Sequence, residues 1–204
     1  MKYPTTISNL IECFNKFPGI GEKTAERLAL SALEMDDSLL NLFSKSLKDI
    51  KTKIKRCEIC NNLSEEDKCE ICKDNTRNKK VICVVEEPKN IILFEKSNLF
   101  DGYYHVLNGL ISPMDGINPE DINISPLIDR AKKEKIDEII FALKPSIEGE
   151  TTALYISKLL EGESIKISKI ASGIPMGADM DYVDSLTLEL ALENRLNIIT
   201  NKNS

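Results

Sequence analysis

The chain has 204 residues, 42% hydrophobic and 29% charged, with a net charge of −6, six Phe, five Tyr and no Trp. That length suits one good core or two to three small modules, and with so few aromatics broad stacking platforms are scarce. No apolar signal region opens the chain and no apolar run is long enough for a bilayer, which predicts a soluble cytosolic protein with reduced thiols. The charge is uneven: residues 1–80 hold 15 Lys+Arg against 13 Asp+Glu, a net of +2, and residues 81–204 hold 12 against 20, a net of −8. A polyanion suits the first part and a basic protein partner the second.

Ile7, Leu10, Ile11, Phe14 and Phe17 recur at helical spacing until Pro18-Gly19 ends the pattern. A second helix opens after Gly21 and carries Ala25, Leu28, Ala29 and Ala32 on one side. Residues 17–25 thus have the form helix, Gly-x-Gly hairpin, helix. Gly19 and Gly21 permit positive φ and close backbone approach. The second helix aims its first amides and its dipole at whatever lies above the turn, which suits a phosphate oxygen. Lys23 and Arg27, one turn apart, share a face and reach adjacent phosphates. Nothing here reads a base edge, so such binding is independent of sequence and sensitive to salt. The competing reading is a helix pair whose Ile20 plugs a core or whose face meets another subunit.

Residues 38–54 read as a further helix, with Leu39, Leu40, Phe43, Leu47 and Ile50 apolar. Lys45, Lys48, Lys51, Lys53, Lys55 and Arg56 concentrate the basic excess, opposed only by Asp49. They read either as a polyanion-facing strip or as a solvated helix face. Next come Cys57-Glu58-Ile59-Cys60 and Cys69-Glu70-Ile71-Cys72. Each pair sets two thiolates on one tight turn, and the connector lets the pairs converge on a tetrahedron, the ligand set of a closed structural Zn²⁺ site. Disulfides or redox thiols are the alternatives, and they belong to secreted or thioredoxin-like settings. Cys13, in an apolar helical stretch, and Cys83, in a short apolar run, are both expected to be buried packing residues.

From residue 81 strands alternate with helices: strands at 81–85, 103–107, 138–143 and 165–171, and helices at 88–96, 125–134, 151–161 and 182–195. Residues 108–119 form a Gly- and Pro-rich loop, and 196–200 a terminal strand or tail. This order predicts βαβ units and a mostly parallel sheet. Glu86 follows the first strand at its carboxyl end, where such sheets place functional groups. A lone carboxylate is a poor Mg²⁺ ligand set, and the position after the 138–143 strand reads Lys144-Pro145-Ser146 rather than an acidic pair. Metal-dependent phosphodiester chemistry therefore lacks its ligands. Glu148 and Glu150, flanking Gly149, read as a loop pair that caps the following helix and meets a partner. His105 reads as a packed strand residue rather than a catalytic base, since no nucleophile elbow accompanies it. Residues 147–151 lack the glycines and lysine of a phosphate-cradling loop, and the 165–171 strand with Gly173 and Asp179 resembles a Walker B element without a partner loop.

In order, these pieces resemble the RecR family of bacterial recombination mediators over nearly the whole chain. The likeness rests on Pro18-Gly19-Ile20-Gly21 with Lys23, Thr24, Ala25 and Arg27; the four cysteines; Val84-Val85-Glu86; and Tyr104-His105-Val106-Leu107 with residues 112–117. It continues through Pro145, Glu148-Gly149-Glu150 with Thr152-Ala153, and residues 172–177. The resemblance implies a multidomain α/β chain. Its parts would be a helix-hairpin-helix module at 1–54 for DNA contact and oligomerisation, a four-cysteine zinc finger at 55–78, a Toprim domain at 79–172 and a C-terminal Walker-B-like, oligomerising segment at 173–204. It implies no catalysis. It also implies DNA contacts from Gly19, Gly21, Lys23 and Arg27, dimers and ring-shaped tetramers, and work with RecO, and in some settings RecF, to load RecA onto single strands coated by single-strand-binding protein. Acidic Toprim residues would meet RecO, with Glu148 the leading candidate beside Glu86 and Glu150. The alternative is a Mg²⁺-dependent primase-, topoisomerase- or nuclease-like Toprim enzyme using Glu86 and Asp115.

Overall fold

The computed structural model describes residues 3–98 and 100–195; residues 196–200, expected to form a strand or tail, lie outside them. The chain divides into two compact units, Met1–Ile54 and Lys55–Ser204.

The first unit is helical. Helix α1 (Thr5–Asn15) packs on α2 (Glu22–Ser31), a short 3-10 turn (Ala32–Glu34) follows, and α3 (Asp37–Lys53) closes the unit. Between α1 and α2, Ile20 N–H donates to Phe17 O at 3.1 Å, with Pro18 second in the turn and Gly19 third at φ +82°. This is type II geometry, which requires a left-handed third residue and favours Pro before it. Phe17, expected on the helix, therefore falls in the turn and is 51% exposed. Asp36 caps α3 by accepting from Leu39 N–H at 2.8 Å. The unit buries only Ala25 and Ala29 among its described hydrophobic residues, while Leu39, Leu42, Phe43, Leu47 and Ile50 of α3 stay exposed. Cys13 is also exposed, against expectation: helical spacing put it in an apolar stretch, but α2 covers the neighbouring side of α1.

The second unit opens with a small hairpin, β1 (Lys55–Arg56) against β2 (Leu63–Ser64), and one helical turn, α4 (Glu70–Lys73). Four parallel strands then build a sheet in the order β4-β3-β5-β6: β3 (Asn78–Val85), β4 (Gly102–Val106), β5 (Glu138–Ala142) and β6 (Lys166–Lys169). Helix α5 (Pro88–Ser97) links β3 to β4, α6 (Ile124–Glu134) links β4 to β5, and α7 (Ile147–Leu159) links β5 to β6. Alternation along β3 sorts two cores. Ile82 and Val84 join Ile139, Phe141, Leu127 and Ile156 on the α6–α7 face, whereas Cys83 and Val85 join Tyr104, Val106 and Ile91 on the α5 face. The buried second half of β3, Ile82–Val85, is the continuous apolar run that a central parallel strand needs. Residues 170–184 run without regular structure apart from a 3-10 turn (Met180–Tyr182), which Asp179 caps, and α8 (Ser185–Glu193) follows. Among the described residues no helix is long and apolar enough to cross a membrane.

Helix α7 begins at Ile147, four residues before its expected start, so Glu148, Gly149 and Glu150 form its first turn rather than a loop. The cap is Ser146, whose hydroxyl accepts from Gly149 N–H at 3.3 Å. Gly149 is there for closeness: a Cβ on it would lie 2.0 Å from Lys144 O.

Candidate functional site

Cys57 and Cys60 sit on a turn in which Asn61 N–H returns to Cys57 O at 2.9 Å, while Cys69 and Cys72 bracket the start of α4. Asn61 takes the left-handed φ of 61° that closes the first turn, a conformation Asn tolerates well. The four sulfur ligand atoms lie within 4.8 Å of one another, with Cys60 and Cys69 Sγ 3.5 Å apart. Zn–S bonds of ~2.3 Å place tetrahedral sulfurs about 3.8 Å apart, so the cluster fits a closed zinc site. Cys69 N–H points at Cys57 Sγ from 3.3 Å, the kind of second contact that orients a thiolate ligand. None of the six cysteines is in a disulfide. Crowding polarises these thiols. Hydrogen bonds from Cys60 and Cys72 hold Cys69 far below the usual thiol range, and the bonds that Cys60 and Cys72 make to that centre push both upward. A divalent cation removes the cost of gathering thiolates this closely.

The zinc knuckle is clasped to the sheet. Cys60 O accepts from Val106 N–H at 2.8 Å, Asn61 Nδ2 donates to Val106 O at 3.0 Å, and Arg56 Nη2 donates to Asn108 Oδ1 at 2.7 Å. Ile71 packs against the α5-side core. On the outer edge of β4, Arg130 Nη1 donates to Tyr104 O at 2.9 Å, so this edge is bonded by the knuckle and α6 instead of by another strand. Neither the clasp nor Arg130 was legible in the sequence, because each contact spans long stretches of chain with no local pattern.

At the hairpin, Gly21 stands just before α2 with φ −85°, so of the two glycines only Gly19 needs a left-handed backbone. Space is open where side chains on Gly19 and Gly21 would point. Among the described residues no acceptor is found for the N–H groups of Glu22 and Lys23, as at any uncapped helix start. Lys23 and Arg27 are both exposed one turn apart on α2, and Glu26 between them is engaged by the Tyr3 hydroxyl. The basic run divides. Lys53 pairs with Asp49 at 2.7 Å, Lys55 pairs with Asp67 and Arg56 bonds the knuckle, leaving Lys45, Lys48 and Lys51 exposed along α3.

The carboxyl ends of β3 and β5, where the strand order reverses, border a cleft of about 640 Å³. Glu86, Lys89, Lys144 and Ile170 line it over an apolar floor of Leu93 and Phe94. Among the described residues no His, Cys, Asp or Glu cluster suited to a metal forms beyond the four cysteines. Asp115 is taken up by the Ser112 hydroxyl at 2.6 Å. Glu150 pairs with Lys169 at 2.9 Å in a neighbouring cleft, and the Ser146 hydroxyl holds the Glu148 carboxyl below its ordinary range. His105 is fully buried with its Nε2 2.8 Å from Asn123 O and its Nδ1 without a partner among the described residues, and burial lowers its pKa to about 4.

These parts match known families in the same order. Residues 7–51 match the RecR helix-hairpin-helix, 54–74 the RecR four-cysteine zinc finger domain, 80–171 the Toprim domain and 173–196 the RecR C-terminal region. The chain is 49% identical over 195 residues to the recombination protein RecR of Staphylococcus haemolyticus (strain JCSC1435), covering 96% of this chain and 98% of that one. The chain belongs to the RecR family. The RecR proteins of Staphylococcus aureus strains JH9 and Newman are each 48% identical over the same length. With the RecR zinc finger matched on the converging thiols, Cys57, Cys60, Cys69 and Cys72 make a structural zinc site.

Proposed function

We propose that this chain is a DNA repair and recombination mediator that grips DNA through Lys23 and Arg27 and makes or breaks no bond itself. The observation that carries this reading is the exposed Lys23–Arg27 pair beside the open Gly19–Gly21 turn, inside a segment that matches the RecR helix-hairpin-helix. Two cations one turn apart, next to unsatisfied helix amides, contact adjacent phosphates without reading bases. Bound Zn²⁺ supplies a closed cross-link with no open coordination position. Around it the chain's own bonds fasten the knuckle to β4, so the metal serves rigidity.

The apolar residues exposed on α3 support assembly: another copy of the chain covers them in a dimer or tetramer. A ring of that kind repeats Lys23 and Arg27 around one DNA segment and multiplies weak contacts through effective concentration. The acidic sheet unit recruits a basic protein of the RecO type, with RecF in some settings, so that RecA replaces single-strand-binding protein on the strand. Glu86 at the cleft rim and Glu148 on the first turn of α7 are the contacts we assign to that partner, and Glu150 contributes less because Lys169 already neutralises it. The Lys144-Pro145-Ser146 sequence at the end of β5, in place of an acidic pair, supports a Toprim body without catalysis. Such a protein works in the cytoplasm at the nucleoid.

The test is Lys23→Glu with Arg27→Glu, followed by gel shift on single-stranded, duplex and gapped oligonucleotides. Retention is expected to disappear while zinc content and assembly stay as in the parent. Undiminished retention rejects the assignment.

A further inference from the structure

At the amino-terminal end of the sheet, away from the carboxyl-end cleft, lies a pocket of about 430 Å³ with Cys72 of the knuckle in its wall. Ile59 of the knuckle, Asn75, Lys79, Lys80, Tyr103, Arg130 and Glu134 line the rest. Glu134, the one carboxylate among the described residues that line it, is committed to Arg130 Nε at 3.1 Å. Arg130 is held as a prepared fork: its side chain is 6% exposed, its Nη1 donates to Tyr104 O at 2.9 Å, and its guanidinium lies 5.5 Å from the Tyr103 ring centre. No acceptor is found for its Nη2 among the described residues. Lys79 donates to Asn75 Oδ1 at 2.7 Å and Lys80 to Lys135 O at 2.6 Å, both neutral acceptors, with Asp137 only at 4.0 Å from Lys80. An ammonium has three donors, so both lysines keep donors to offer, and Lys79 pairs with no carboxylate among the described residues, whereas Lys80 stands within ion-pair range of Asp137. The three cations share the pocket with the Glu134 carboxylate and with Cys72, one of the zinc-bound thiolates, so its case as an anion site rests on the donors that stay free rather than on net charge.

A planar guanidinium flanked by two point charges is the donor set that recognises phosphate oxygens. We propose that this pocket is a second phosphate-binding site, separate from the hairpin, and that it takes a phosphate of the nucleic-acid backbone. Nucleic acid as the source rests on the DNA-binding reading above; the phosphate chemistry does not. The contact adds a phosphate anchor on the zinc-stapled unit, without any gain in base specificity.

The experiment is lysine acetylation footprinting of the full zinc-loaded chain, read by mass spectrometry alone, with a single-stranded oligonucleotide, or with inorganic pyrophosphate. Lys79 and Lys80 are expected to lose labelling severalfold with the oligonucleotide. Protection by pyrophosphate but not by the oligonucleotide rejects nucleic acid as the source and keeps the phosphate site, and protection by neither overturns the site. Lys23 in the same digest separates the two readings: protection of Lys79 and Lys80 without Lys23 faults the hairpin, and the reverse faults this pocket. In parallel, Lys79→Gln with Lys80→Gln is expected to lower the slope of log affinity against log salt by about 1 to 2. An unchanged slope contradicts the proposal.

Discussion

The two units solve the burial problem differently. The sheet unit closes cores on both faces of β3 and bonds the outer edge of β4 through the knuckle and Arg130. The helical unit buries two alanines and leaves the apolar residues of α3 in the open. An exposed Leu or Phe is ordinary alone, but several on one helix mark a surface suited to covering. The sheet unit closes a core of its own, and the proposal that another copy of the chain covers α3 rests on this difference.

The largest expected effect falls on the complete unit. Cys57→Ser with Cys60→Ser should drop zinc by elemental analysis from one per chain to near zero. With it goes metal-linked folding free energy on the order of 10 kcal/mol, read as early thermal melting of the sheet unit. Hydrogen exchange at the Val106 amide, which Cys60 O now accepts, should rise while α1 and α2 keep their protection. Equal loss in both units breaks the contrast.

A smaller effect sharpens it by pH. His105 belongs to the sheet unit, and burial lowers its pKa from 6.5 to about 4. Below pH 6.5 the unfolded chain takes up a proton that the folded chain refuses until about pH 4, so stability rises with pH across that window. On acidification the loss grows to on the order of 3 kcal/mol. His105→Gln should flatten that dependence in denaturant melts between pH 4 and 7, and an unchanged slope assigns it to other groups. The smallest effect lies in the helical unit: Asp36→Ala removes the α3 cap and should cost about 1 kcal/mol there, leaving zinc content untouched.

What the sequence revealed was local. The cysteine spacing, the Pro-Gly turn and the apolar run of β3 each state their geometry within a few residues, and the knuckle, the type II turn and the central strand formed from them. Glu148-Gly149-Glu150 misled because glycine suggests a loop, whereas here it admits the Lys144 carbonyl to the first turn of α7. Cys13 misled because periodicity marks a helix side without saying what covers it. Arg130 was silent, since its partners Tyr104 and Tyr103 lie a strand and a loop away in sequence.

The most direct measurement is the mass of the full-length, zinc-loaded protein by light scattering during size exclusion. The expected mass is two or four times 22.9 kDa, falling toward a single chain when Phe43 and Leu47 are changed to Glu. A parent protein that runs at 22.9 kDa with and without a gapped oligonucleotide contradicts it.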